Sequence, residues 1–186
     1  MELHSINLFF HIVGGLGIFI ALGLEWTGLQ QLRITTLPDQ VRAWMNIIKN
    51  SSKLLFVSML LNTITGILSM LLEEGLEAWI TVTLLSFVLL ITLAMTITRP
   101  RMAAIGHALF TENRMAPQTI RTLASQPLFW ISIQTRLSVA LGIVFLMIEK
   151  PNLVGSLLTI GVAIVLGLAS TLVVIRRERA QAVATD

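Results

Sequence analysis

Five apolar runs, each about 19 to 23 residues long, leave this chain little choice of fold. They cover roughly residues 6–26, 54–72, 78–97, 128–148 and 153–175. A helix crosses the bilayer's hydrocarbon core of about 30 Å in about 20 residues. No water reaches the backbone there, so each run must satisfy its own N–H and C=O groups, which an α-helix does. The expected fold is an all-α integral membrane helical bundle of five transmembrane helices. It forms a single domain over residues 1–179, with 180–186 as a short cytoplasmic tail.

Composition points the same way. The chain is 55% hydrophobic and 12% charged, with mean hydropathy +0.83. A water-soluble domain so composed would expose apolar patches that soluble proteins avoid. There is no cysteine, so disulfides, thiolate clusters and cysteine nucleophiles are excluded. The isoelectric point near 10.2 would suit a nucleic-acid binder, but the net charge is only +3. No nucleic-acid partner is expected, because the basic residues lie where a membrane protein places them. Met1-Glu2-Leu3-His4 brings no positive charge before the first run, and no small-residue cleavage site follows, so the run reads as a retained span.

Lys and Arg near span ends give the orientation. Arg33, Arg42, Lys49 and Lys53 follow the first span, and Arg99, Arg101, Arg114 and Arg121 follow the third. Arg176, Arg177 and Arg179 follow the fifth. Eleven of the 13 basic residues thus share one face, leaving Lys150 on the other and Arg136 within a span. The pattern predicts the N-terminus out and the C-terminus in, in a bacterial inner membrane. The opposite rim is acidic, with Glu73, Glu74, Glu77 and Glu149, and reads as a solvated loop face.

The basic segment after span one predicts a helix started by Pro38, with Val41, Trp44, Met45 and Ile48 on one stripe. Such a helix either lies among anionic headgroups or packs beneath the bundle. A second short helix is expected near Pro117–Ser125. No internal repeat is visible, and five spans do not divide into two halves, which argues against a two-repeat transporter.

Arg136 is the residue out of place. It lies about 12 Å inside the fourth span, where an unpaired charge costs between about 3 and more than 10 kcal/mol. Ser132 and Ala140 share its stripe, and Asn62, at a similar count from its own span end, is one candidate acceptor. Glu25, the one acidic residue within a span, is the other. Two roles follow: an anion or proton site around Arg136, or a structural arginine neutralised by Glu25.

His11 lies in the outer part of span one, with His4 seven residues before it on the same face. Met70 and Met147 stand near the same level and are its candidate co-ligands for haem. His4, His11 and methionines would also make a soft site for copper. Gly17 and Ala21 in span one, and Ala163 and Gly167 in span five, form small-residue faces for close helix packing, within one chain or between chains. There is no phosphate loop, HExxH, intramembrane carboxylate pair or filter-like run, so the chain is read as not an enzyme.

The first-span HIVGG and the stretch TRLSVALGIVFLMIEKP leading into NLVGSLLTI resemble a group of small, uncharacterised bacterial multi-pass membrane proteins. More distantly, His11 in a Gly-rich first span is similar to the copper-resistance D-like superfamily. That likeness implies copper or haem handling; the superfamily's further membrane histidines have no counterparts in this sequence. The leading expectation is a transport-related or accessory membrane subunit without a cofactor, holding a polar layer around Arg136 and Asn62. The alternative is a haem- or copper-binding redox protein using His11. A third reading is an interaction protein that forms homo-oligomers, or joins a partner membrane protein, through its glycine faces.

Overall fold

The computed structural model describes the backbone of residues 2–35, 37–75, 77–111 and 117–183. It describes their side chains except at 2, 73, 74, 109–111, 117–118 and 174–183. Arg114, the side chains of Glu73, Glu74, Arg176, Arg177 and Arg179, and the tail beyond the backbone of residue 183 lie outside these limits. Among the described residues there are seven α-helices and no strand.

Helix α1 spans Glu2–Ile34, α2 Pro38–Ser69, α3 Ala78–Leu93, α4 Arg99–Thr111, α5 Pro117–Ala124, α6 Pro127–Glu149 and α7 Leu153–Val183. Five stretches are long and apolar enough to cross a membrane: Leu3–Ile34, Pro38–Leu72, Ala78–Ala108, Pro127–Glu149 and Leu153–Val173. Their outward faces are apolar. Phe9, Leu16 and Ile20 on α1, Phe56, Leu60 and Ile64 on α2, and Leu157, Val165 and Leu172 on α7 are all exposed. Lipid is the solvent such a girdle fits.

Two helices run past the ends drawn from hydropathy. The segment 38–50 is not a separate helix; it continues into the second span as one 32-residue helix. Nothing between Asp39 and Ser69 breaks it, since Ser51 and Ser52 return their hydroxyls to the Ile48 carbonyl and stay helical. Its stripe packs inward: Val41 and Ile48 are buried with Leu29, Leu32, Ile105, Ile120, Ala124 and Phe129, and Trp44 and Met45 lie against them. The stripe is therefore covered by the rest of the chain.

Arg99-Pro100-Arg101 likewise does not end the helical stretch that contains the third span, because α4 follows directly. Proline in a helix interior lacks an N–H and clashes with the carbonyl four residues back. Here the turn before it, Ala94–Thr98, is a wide π turn in which the Arg99 N–H bonds to the Ala94 carbonyl. The extra width accommodates the ring.

The interior has two tiers. The larger contains Ile18, Leu22, Met59, Phe87, Leu90, Val139, Ile143 and Leu146. The smaller, beneath it, is the α4–α5 cap closed by Trp130, whose Nε1 donates to the Ala124 carbonyl at 3.1 Å and whose ring lies 4.8 Å under the Arg33 guanidinium. At the opposite end the chain turns through Gly75, with φ of 67°, and through Lys150, a left-handed cap at φ 43°. Asn152 then caps α7 by accepting the Gly155 N–H at 2.9 Å.

The small-residue faces are used inside the chain. Gly17 lies against Ser58 of α2, and Ala21 is fully enclosed. A Cβ on Gly167 would fall 2.6 Å from the Thr135 Cα of α6, and Ala163 packs against Gly142. These contacts join α1 to α2 and α6 to α7, so the faces singled out for assembly between chains are occupied within this one.

Candidate functional site

Two groups of polar side chains interrupt the apolar interior, one toward each end of the bundle. The first is built around Arg136. Four-residue spacing on α6 sets Ser132 and Arg136 on one buried stripe, α1 brings Glu25 from its last third, and the π turn contributes Thr98. Arg136 Nη2 donates to Glu25 Oε1 at 2.7 Å and to Thr98 Oγ1 at 3.2 Å. The two charged side chains are only 1% and 2% exposed.

Beyond Thr98 the bonds have a direction. Thr98 and Ser132 hydroxyls are 3.0 Å apart, and Ser132 Oγ lies 3.2 Å from the Leu93 carbonyl, which can only accept. Each hydroxyl has one proton. Ser132 gives its proton to Leu93, so Thr98 gives its own to Ser132 and accepts from Arg136. The chain of donors starts at the guanidinium and ends on backbone at the entrance to the π turn. Arg136 Nε has no hydrogen-bond partner among the described residues.

Of the two acceptors the sequence offered, the structure gives Arg136 Glu25, not Asn62. Asn62 Nδ2 instead donates to the His11 carbonyl at 2.9 Å, and its backbone lies against Gly14. Gly14 and Glu25 are separated by 11 residues of α1, about 16 Å along the axis. The anticipated Arg136–Asn62 layer is therefore two separate clusters. The count from span ends misled because α2 begins at Pro38, well before its apolar run, and because the Arg136 stem reaches toward α1's far end. With its charge compensated, the first cluster ties α1, α3 and α6 together and has little net charge to hold an anion.

The second cluster lies between α1 and the end of α2. Asn7 Nδ2 donates to the Thr65 carbonyl at 3.1 Å and to Ser69 Oγ at 2.7 Å. His11 Nδ1 is 2.9 Å from Thr65 Oγ1, which also lies 2.8 Å from the Leu61 carbonyl and 3.1 Å from the Asn62 carbonyl. The single Thr65 proton goes to a backbone carbonyl, so His11 Nδ1 is the donor.

Beside it lies a partly open cavity of ≈ 240 Å³. His11, Asn62, Thr83, Met70, Met147 and Trp79 are among its lining residues, with Ile67, Ile80 and Phe87 supplying apolar wall. Lys150 is at the edge, its Nζ 5.4 Å from the Trp79 ring centre. Thr83 is 6% exposed and its hydroxyl has no partner. Other α3 hydroxyls behave differently: Ser86 and Thr92 return theirs to the carbonyls of Val82 and Val88 at 2.7 and 2.8 Å.

The cavity thus brings together His11, Met70 and Met147, which the sequence related by level alone. His4 is exposed near the start of α1 and does not line it. The cavity's ≈ 240 Å³ compares with about 150 Å³ for an apolar cavity that takes one benzene ring. Among the described residues no three His, Cys, Asp or Glu side chains gather as a metal site. One imidazole and two thioethers form the soft donor set that Cu(I) accepts. Sequence reasoning missed Thr98, Thr83 and Asn7; a hydroxyl in an apolar run normally satisfies itself on its own helix, so its spacing alone says nothing. Comparison with protein-family models, with curated proteins and with solved structures gives no match.

Proposed function

We propose that this is a bacterial inner-membrane protein, N-terminus out and C-terminus in, acting as a transport-related or accessory subunit whose working part is the cavity beside His11. The orientation follows from the basic residues at one set of span ends. The cavity then opens toward the outer leaflet, and the α4–α5 cap lies on the cytoplasmic side beside anionic headgroups.

One observation carries the reading: a ≈ 240 Å³ cavity among α1, α2, α3 and α6, lined in part by Thr83, whose buried hydroxyl has no partner among the described residues. Interiors satisfy their buried polar groups and fill their voids, and binding sites are where both rules are relaxed together. Arg136, by contrast, serves the frame. Native mass spectrometry of the full chain, extracted from its own membranes, tests the proposal. A retained small-molecule mass that disappears when Ile80→Trp fills the cavity is expected; identical bare masses for both proteins overturn it.

The shared location of His11, Met70 and Met147 favours a second reading, a Cu(I) site. It requires one copper per chain under reducing conditions, lost in both His11→Ala and Met147→Leu. Copper retained in either variant excludes it.

A further inference from the structure

We propose that the cavity takes a single-chain carboxylate amphiphile of about ten carbons, its head held at Lys150. The inference rests on the reading of the cavity as a binding site and adds the class of compound that fills it.

Shape comes first. Met70 and Asn62 line the cavity eight residues apart, and Trp79 and Phe87 line it from α3 at the same spacing. The cavity therefore follows the helices inward for about 12 Å. Its outer end lies where the chain turns: Met70 leads into the Gly75 turn, Trp79 leaves it, and Lys150 caps α6. Such a depth suits one extended chain. An apolar cavity of about 150 Å³ takes the six carbons of benzene, so ≈ 240 Å³ takes about ten. A phospholipid, with two longer chains, exceeds it.

Charge then selects the head. Lys150 is the one Lys or Arg among the lining residues, and no Asp or Glu lines the cavity. The Lys150 Nζ lies 5.4 Å from the Trp79 ring centre, and Trp79 Nε1 donates to Glu77 Oε2 at 2.8 Å, which fixes the ring at the outer end. Lys150 is also the one non-glycine residue with positive φ among the described residues, a conformation that favours glycine or asparagine. A lysine held at a strained position beside a cavity points to a use for its charge.

The deeper wall suits a chain. Ile80, Leu84, Phe87 and Met147 are apolar. Asn62 and Ser69 also line the cavity, and both are bonded within the protein, Asn62 Nδ2 to the His11 carbonyl and Ser69 Oγ to Asn7 Nδ2. Exposed Leu8 and Ile67 at the edge leave a way in from the bilayer. A cationic head would meet Lys150 as a like charge, and a neutral alcohol would forgo the charge-assisted bond.

The test uses decanoate, 1-decanol and decyltrimethylammonium, which share a chain and differ in head charge. Each is titrated into the full chain in phosphatidylcholine nanodiscs at about pH 8, where the carboxylate is ionised. The ¹³C-methyl resonances of Met70 and Met147 report the cavity, and that of Met95, exposed to lipid, reports plain partitioning into the bilayer. Saturable shifts of Met70 and Met147 are expected with decanoate, half-saturating at a concentration about tenfold below that of 1-decanol through one charge-assisted bond. Decyltrimethylammonium is expected to give none. Lys150→Asn, which suits the left-handed cap, is expected to abolish the preference for decanoate, and Lys150→Arg to keep it. Equal binding of decanoate and either other compound, or a preference unchanged in Lys150→Asn, overturns the carboxylate class while leaving the cavity a binding site. The same shifts produced by phosphatidylglycerol nanodiscs alone would assign the cavity to a phospholipid chain and likewise overturn it. No saturable shift with any compound or lipid overturns both inferences.

Discussion

Glu25 and Arg136 are 111 residues apart in the chain and 2.7 Å apart in the bundle, in an ion pair that almost no solvent reaches. The contact fixes the last third of α1 against the middle of α6. Arg136 also bonds Thr98, so one guanidinium fastens three of the five spans.

Breaking this pair from one side strands a charge. Glu25→Ala is expected to destabilise the protein by about 3–5 kcal/mol. The double variant Glu25→Leu/Arg136→Met removes both charges and is expected to recover most of that loss, because buried pairs often yield to well-packed apolar residues at little cost. Unfolding midpoints in SDS titration measure both. A double variant no more stable than Glu25→Ala would mean that the pair does more than hold helices.

Gly167 and Gly161 lie on one helix with opposite surroundings. A Cβ at Gly167 meets the Thr135 backbone, which cannot swing aside, whereas a Cβ at Gly161 meets nothing within 4 Å. Gly167→Ala is expected to cost about 1–3 kcal/mol through overpacking, and Gly161→Ala to be neutral or stabilising through helix propensity. The same SDS titration compares them, and equal effects would dismiss the α6–α7 contact.

The absence of cysteine makes the orientation directly measurable. In intact cells, Asn152→Cys is expected to react with a membrane-impermeant maleimide, and Arg42→Cys only after the membrane is permeabilised. The reverse pattern would invert the proposed topology and place the cavity on the cytoplasmic side.

The reach of the sequence differs between the frame and the site. The five apolar stretches follow from run length, because lipid leaves the backbone one economical solution. Arg136 stood out by the same logic, and Glu25 was its only opposite charge at membrane depth. Asn62 was assigned to the wrong neighbour because depth depends on where α2 begins, and Pro38 to Lys53 looked too polar to belong to it. Thr83 could not have been singled out, since a threonine that spends its proton on its own helix and one that does not have the same spelling. The π turn leaves a faint trace in Pro100, a proline that a regular helix would have resisted.

That turn also changes how the third span would respond to losing a residue. An α-helix shortened by one position inside a packed stretch rotates everything downstream by about 100° and exchanges its buried and exposed faces. The turn from Ala94 to Thr98 already contains the equivalent of one surplus residue, and Met95 within it faces outward. Excision there would tighten the winding to ordinary pitch and leave the flanking helices in phase. The third span therefore has slack at one place in its length, and that slack sits next to the residue that ties the bundle together.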